Sequence, residues 1–429
     1  MQASQKIIHV VRRFAFDEWG GTETVVWNSA KGLIQAGVPS KIIATSALSR
    51  AGTETKQNCQ VKRYNYFYPR FRLSPEKHTA LDKKGGDPYS YKLYRDLVSS
   101  DSRLIHCHSM QRMASMVRIA AIKNKTPYIM SLHGGQYTVP TSERLDMESA
   151  TKGTINYGKA IDIYTRPDLV LRDASGIVCV GYDEYLAVKK RFPLKPTIYL
   201  PNGVNTKAFD NGNKQDFLKK YNINSNSKII LCVSRIDPQK NQMALVHLLD
   251  MLNKHQLNKQ NKPPYHLVLI GPVTNSHYCS QIVQKVHDLN LATQFTLIRG
   301  LDPESAELEN AYSAADSFVL PSIHEPFGIV VLEAWAAGIP VIVSRVGGLA
   351  KLVDHKKNGL HFNPYKPRTL FDAFTHLEKN KDLQKLFVQN GKAEAERSYS
   401  WESYIGRLMQ FYDDAESWHN SHAPFELAI

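Results

Sequence analysis

Pro321 to Gly348 reads PSIHEPFGIVVLEAWAAGIPVIVSRVGG, and this stretch decides the fold. An apolar strand, SFVLPS (317–322), ends at the proline, and a polar loop carries His324, Glu325 and Pro326. An apolar helix is expected from near Phe327, followed by a second apolar strand, IPVIVS (339–344). Two strands apolar on both faces and joined by a helix form the unit of a parallel sheet covered on both sides.

Working outward, similar runs recur at 6–11, 40–45, 103–108, 127–133, 176–181 and 197–201, and again at 228–234, 265–271 and 295–300. Helix-length segments separate them. The alternation occurs twice, which predicts an α/β chain of two doubly wound, Rossmann-like domains. Turn chemistry in LPNGVNTKAF (200–209) marks the seam. The expected division is 1–203, then 204–400, with 401–429 as a helix crossing back to the first domain. Residues 66–100, with Tyr66, Tyr68, Tyr89, Tyr91 and Tyr94, break the pattern; they read either as an acceptor surface or as buried aromatic packing.

The 429 residues are 42% apolar and 22% charged, enough for two cores and without the low complexity of a fibre or a solenoid. No apolar run reaches the ~18 residues of a spanning helix. The start, MQASQKIIHVVRR, lacks the pattern of a secretory leader. The five cysteines have no metal-ligand spacing and read as core residues in a reducing compartment, so a cytoplasmic location is expected. The net charge of +14 suits phosphorylated substrates or peripheral contact with an anionic membrane at its inner face, and equally suits solubility alone. The lysines are scattered and not interleaved with aromatics, so nucleic acid is not an expected partner.

Within the deciding stretch, Glu325 and Glu333 lie eight residues apart, roughly 12 Å along a helix at ~1.5 Å per residue. Between them fall the backbone amides of Phe327, Gly328, Ile329 and Val330 at the positive end of a helix, a ready anion site. One carboxylate could hold sugar hydroxyls and the other ribose hydroxyls, with phosphates between; the plainer reading is a buried helix with one incidental acid. Arg235 and Lys240 follow a strand in VSRIDPQKN (233–241), where open parallel sheets bind ligands, and two cations there can neutralise a departing diphosphate. Taken alone, they read as a solvated loop. Gly20 and Gly21 in WGGTE precede a helix and suit either close approach of a phosphate or a plain turn. His133 ends a strand in SLHGGQY, placed to donate to a sugar hydroxyl or to serve structure. His106 and His108 share a strand face. No third ligand has recognisable spacing, so packing is favoured over a metal, with His108 expected at the cleft mouth towards an acceptor. Neither Asp-x-Asp nor a Walker loop, GxSxG or HExxH occurs, so leaving-group charge falls to cations and helix amides.

Assembled, these residues resemble glycosyltransferase family 4, a group of retaining enzymes of GT-B fold. The likeness is carried by EPFGIVVLE (325–333), SRIDPQKN (234–241), PNGV (201–204), FVLPS, AAGIPVIVSRVGG and NGLHF, and by the N-terminal glycine pair and His133. The resemblance implies parallel sheets facing a central cleft and a nucleotide-diphosphate sugar, UDP-, GDP- or ADP-linked, as donor, with no cofactor or metal. It implies that Arg235 and Lys240 bind the donor diphosphate, helped by Gly20 and Gly21. Glu325 and the backbone from Phe327 to Val330 would hold the transferred sugar, Glu333 the ribose, and Leu301 the base. His133 would touch the sugar and the reaction centre. The acceptor would be a glycan, a lipid-linked saccharide or a small sugar, as in bacterial surface-polysaccharide or glycoconjugate synthesis. An epimerase or hydrolase of the same fold, or a non-catalytic sugar-nucleotide-binding protein, is the alternative. The stretch from Gln136 to Arg172 exceeds a plain crossover and is expected to shape the acceptor side.

Overall fold

The protein is described by a computed structural model covering residues 6–16, 20–83, 85–133, 151–256, 264–302 and 305–422. Two compact units are present: Met1–Asn202 with Tyr404–Ile429, and Gly203–Ser403. The segment 134–150, which holds much of the long stretch expected on the acceptor side, lies outside the described residues.

The first unit is built on strands β1 (Ile7–Arg13), β2 (Ser40–Thr45), β3 (Gly52–Lys56), β4 (Cys59–Tyr64), β6 (Leu104–Cys107), β7 (Tyr128–Leu132), β9 (Gly176–Cys179) and β10 (Thr197–Tyr199). They lie in the order β10-β9-β7-β6-β1-β2-β4-β3, all parallel except β3, which pairs antiparallel to β4. β5 (Arg70–Phe71) and β8 (Ile155–Asn156) form a separate small ribbon. Alternation along β1 explains the layering. Ile8 and Val10 join Ile105, Cys107, Met130 and Ile177 in one core, against the helix Gln111–Asn124. The intervening His9 points to the opposite face with His106, its register partner. The helix Trp401–Ser421 covers that opposite face, where Tyr412 bonds His106 and Tyr404 bonds Ser29.

In the second unit all six strands are parallel: β11 (Lys228–Val233), β12 (Tyr265–Ile270), β13 (Phe295–Ile298), β14 (Ser317–Leu320), β15 (Val341–Ser344) and β16 (Leu360–Phe362). Their order is β13-β12-β11-β14-β15-β16, so the chain runs outward from β11 and then returns to lay β14 on its other side. This reversal opens a crevice at the carboxyl ends of β11 and β14, the place where such sheets bind ligands.

The apolar runs at 317–322 and 339–344 are strands as read, but β3, β4 and β16 did not stand out. β3 is exposed throughout, and β16 is only three residues long, so neither shows a buried run. Residues 66–100 contain β5 and two short helices, Pro75–Lys83 and Tyr91–Ser99. Their tyrosines divide: Tyr68 and Tyr89 are buried, whereas Tyr91 is exposed, and the Tyr66 and Tyr68 hydroxyls both donate to Asp82 (2.6 and 2.8 Å). All five cysteines are free and buried. Among the described residues no helix is long and apolar enough to cross a membrane.

Candidate functional site

The two segments singled out in the second half of the sequence follow β11 and β14, the strands flanking the crevice. Three polar links knit them together. Ile323 N–H donates to the Gln239 carbonyl (2.8 Å), Asn241 Nδ2 to the Pro321 carbonyl (3.2 Å), and Lys240 Nζ to Glu325 Oε2 (2.6 Å). The segment after β11 is set locally: Asp237 accepts from the Gln239 amide to start a single helical turn, Pro238–Lys240, and Asn241 takes the left-handed conformation that ends it. Gln242, fully buried, donates to the Ser234 hydroxyl (2.9 Å) and the Arg235 carbonyl (2.6 Å).

Lys240 and Glu325 each expose about 12% of their side chains, so the pair is largely removed from water. Such a pair is held less by its net attraction than by the penalty of stranding either partner. Ser322, fully buried, points its hydroxyl at the same carboxylate oxygen (3.5 Å), and its carbonyl accepts from Ser344 Oγ (2.5 Å). Arg235 is half-buried, and among the described residues no acceptor meets its guanidinium.

The helix of the deciding stretch spans Ile329–Ala336, two residues later than the expected start at Phe327. Gly328 is its cap, with φ of 98°, a conformation natural to glycine. The first bond of the helix runs from the Val331 amide to the Gly328 carbonyl (2.9 Å), so the Ile329 and Val330 amides lie ahead of it, while Phe327 and Gly328 precede the helix. Glu325 and Glu333 are therefore separated partly by loop, and the ~12 Å helical rise does not apply to them. Gly347 and Gly348 fold back under this loop, where the Gly348 amide donates to the Glu325 carbonyl (2.8 Å). Glu333 accepts from the buried Tyr312 hydroxyl (2.5 Å). Burial pushes its carboxyl pKa up, opposed by that hydrogen bond. Leu301 is half-buried just past β13. Trp335 is buried and donates to the Asn358 carbonyl (3.1 Å), a packing role.

In the first unit, Gly20 caps the helix Gly21–Gln35 after β1, but the nearest charged group is an anion. Glu23, buried, pairs with Arg13 (3.1 Å) and lies against Gly20. The glycine pair thus sits beside a neutralised carboxylate rather than a bare cation. His133 immediately follows β7, half-buried, its Nε2 3.2 Å from His108 Nδ1, and burial lowers its pKa to about 4. His108 is not at an open mouth as expected: it is 5% exposed and enclosed by His9 and His133. Its amide bonds the Val10 carbonyl (2.8 Å), continuing the β1–β6 ladder by one residue, and its ring is buried because it packs between the His9 and His133 rings.

Sequence reasoning missed Ser322, Tyr312 and His9. Ser322 lay inside the quoted motif without a distinguishing spacing. Tyr312 and His9 reach their partners across 21 and 99 residues, a distance no local pattern reports.

Two family profiles match the chain, one in each half. A profile described as "Glycosyl transferases group 1" matches residues 213–394, and one described as "Glycosyltransferase Family 4" matches 19–208. The chain is 28% identical over 228 residues to a GDP-mannose-dependent alpha-(1-6)-phosphatidylinositol monomannoside mannosyltransferase of Mycobacterium tuberculosis, covering 51% of this chain and 56% of that one. The matched stretch spans about half the length of the first curated relatives (52% and 56%). Among solved structures, the fold resembles sucrose-phosphate synthase from Thermosynechococcus elongatus (TM-score 0.68, 20% identity, 96% of this chain and 99% of that chain). It also resembles Anabaena HepE in complex with UDP and glucose (TM-score 0.68, 17% identity, 95% and 99%).

Proposed function

We propose, from the premise that this chain belongs to the family 4 glycosyltransferases with the GT-B fold, that it transfers a hexose from a nucleotide-diphosphate sugar with retention of anomeric configuration. The observation that carries the reading is the buried Lys240–Glu325 pair, which joins the segments after β11 and β14 at the point where strand order reverses, with Arg235 on the first of those segments and without an ion pair among the described residues. In this reading Arg235 takes the donor diphosphate and stabilises the charge that grows on it as the glycosidic bond breaks. Lys240 leans towards the same phosphates while remaining paired to Glu325. The Glu325 carboxylate and the leading helix amides receive hydroxyls of the sugar, and Glu333, held by Tyr312, receives the ribose. Leu301 lines the base, and the family resemblance assigns His133 a hydrogen bond to the donor sugar and Gly20 and Gly21 close backbone access to the donor.

No protein nucleophile is assigned, because the leaving phosphate oxygen can take the acceptor proton. Cations and amides supply the charge compensation that a divalent metal would otherwise provide. The Mycobacterium relative uses GDP-mannose with phosphatidylinositol monomannoside, and a second relative, 29% identical over 190 residues, is a D-inositol 3-phosphate glycosyltransferase of Corynebacterium glutamicum; both favour a polyol or saccharide acceptor bearing phosphate or lipid. A net charge of +14 suits such an anionic partner.

The test is turnover of UDP-glucose, UDP-N-acetylglucosamine, GDP-mannose and ADP-glucose with an acceptor panel of inositol phosphate, sugar phosphates and lipid-linked saccharides, followed by proton NMR of the new anomeric centre. Transfer with the donor's own anomeric configuration is expected. An inverted product, or release of free sugar from every donor without transfer, overturns the proposal in favour of an inverting or hydrolytic enzyme.

A further inference from the structure

Behind His133 lies a row of imidazoles that the proposed reaction does not yet use. His133 Nε2 is 3.2 Å from His108 Nδ1, and His108 Nε2 is 3.0 Å from His9 Nδ1. The His108 and His133 rings lie nearly parallel (29°), as do His9 and His108 (26°). His9 is fully buried, and its far nitrogen, Nε2, has no hydrogen-bond partner. Burial lowers the pKa of His9 to about 3, of His133 to about 4, and of His106 and His108 well below the ordinary value, so the row is uncharged near neutrality.

A row of neutral imidazoles joined in this way has two proton arrangements, because each ring carries one N–H and one lone pair. In one, every proton is on Nε2: His133 donates to His108, His108 donates to His9, and His9 is left with a buried N–H aimed at nothing. In the other, every proton is on Nδ1: His9 donates to His108, His108 donates to His133, and His9 keeps only a bare lone pair. A buried donor without an acceptor is the rarer and costlier defect. The neighbouring His106 does not alter the choice, since its nitrogens are engaged by Tyr412 (2.8 Å) and the Ser131 hydroxyl (2.7 Å). Those two bonds also leave His106 no free lone pair for a metal shared with His9 and His108, although the three side chains approach within 4.8 Å.

We infer that His9 and His108 are positioning residues that lock His133 as the Nδ1–H tautomer, so that its outward nitrogen is a hydrogen-bond donor and not a base. Resting on the proposed function, this specifies what His133 offers the donor sugar: it gives a proton's hydrogen bond to a hydroxyl or ring oxygen and cannot abstract the acceptor's proton. That leaves the deprotonation to the departing phosphate.

The experiment is two-bond proton–nitrogen NMR of the full chain labelled with nitrogen-15 histidine, without ligand, with the His133 signals assigned by their loss in His133→Gln. The expected pattern is a protonated Nδ1 and a lone-pair Nε2 at His133. His9→Asn, whose amide N–H can replace the imidazole Nδ1–H towards His108, keeps that pattern. His9→Leu leaves His108 Nε2 as the buried, partnerless end of the row and keeps the pattern by the same rule, whereas His9→Asp, whose carboxylate only accepts and so draws the proton to His108 Nε2, reverses the row and shifts His133 to the Nε2–H form. An Nε2–H tautomer at His133 in the wild-type chain, an unchanged His133 pattern in His9→Asp, or a stoichiometric transition metal by elemental analysis overturns the inference. Because no substrate is present, these results are independent of whether transfer is found. Failure of the functional reading appears separately, as absence of turnover with the donor panel.

Discussion

The substitution Gly348→Ala tests whether the loop carrying Glu325 is held by backbone contact rather than by its side chain alone. Gly348 has φ of −62° and ψ of −30°, accessible to any residue, so the effect is purely steric. A Cβ there would lie 2.1 Å from the Pro326 carbonyl oxygen, 2.5 Å from its carbon and 2.7 Å from Phe327 Cα. The shortfall from an ordinary 3.4 Å contact is about 1.3 Å. All three opposing atoms are backbone, and no rotamer change can relieve them. The loop must retreat, stretching the Gly348 amide bond to the Glu325 carbonyl, now 2.8 Å. Overpacking costs ~1–3 kcal/mol and a lost hydrogen bond ~0.5–1.5 kcal/mol, giving roughly 2–4 kcal/mol together. For a unit of this size that lowers Tm by roughly 5–15 °C. A 1 Å misplacement of a substrate-holding group also costs on the order of 100-fold in turnover. The control is Gly406→Ala, on the exposed face of the helix Trp401–Ser421, where a Cβ meets nothing within 4 Å and helix propensity should add ~0.5–1 kcal/mol. Thermal unfolding and donor turnover of both variants decide it. If Gly348→Ala melts with the wild type and keeps more than half its turnover, the packing argument is refuted.

Three further expectations concern charge and burial. Lys240→Met should lower stability by ~3–5 kcal/mol by stranding the Glu325 carboxylate, while Lys240→Met with Glu325→Gln should recover most of that stability but not the turnover, as denaturant unfolding and kinetics will show. Acid should destabilise the first unit: His9 is neutral in the fold down to about pH 3 but takes a proton below about 6.5 when unfolded, so its contribution is complete above 6.5 and drains away as pH falls towards 3, about 5 kcal/mol at ~1.4 kcal/mol per pH unit. His133 acts with the same sign, and urea titrations from pH 7 to 4 should show the slope flatten in His9→Phe. Tyr312→Phe removes the hydrogen bond that favours the charged form of Glu333, so the Glu333 pKa should rise further and the acidic limb of donor binding should move to higher pH. A binding limb that stays in place would show that Glu333 does not meet the donor.

Much of this was legible in the chain because the signals are local. Parallel strands buried on both faces announce themselves as Val- and Ile-rich runs, and the residues that end β11 and β14 carry their chemistry within eight or nine positions. The two segments carrying Arg235 with Lys240 and carrying Glu325 are therefore legible, and the Lys240–Glu325 ion pair joins them. The loop geometry around Glu325 was not legible, because Gly328 caps the helix by a backbone conformation that apolar periodicity does not encode. Nor was the histidine row. His9 looks like one more residue in a strand until register pairs it with His106, and His108 looks accessible until the rings of His9 and His133 enclose it. Long-range pairs such as Tyr312 with Glu333 depend on how helices lie on a sheet, which no spacing within either segment specifies.

The central claim is that Arg235 holds the diphosphate of an activated sugar, and calorimetric titration of UDP, GDP and ADP into the wild-type chain and Arg235→Ala tests it most directly. A charged hydrogen-bond partner of this kind is worth ~1.5–3 kcal/mol, so at least one nucleotide should bind the wild type and lose roughly 10- to 150-fold in affinity in the variant. Binding of none of the three, or equal affinity for both proteins, contradicts it.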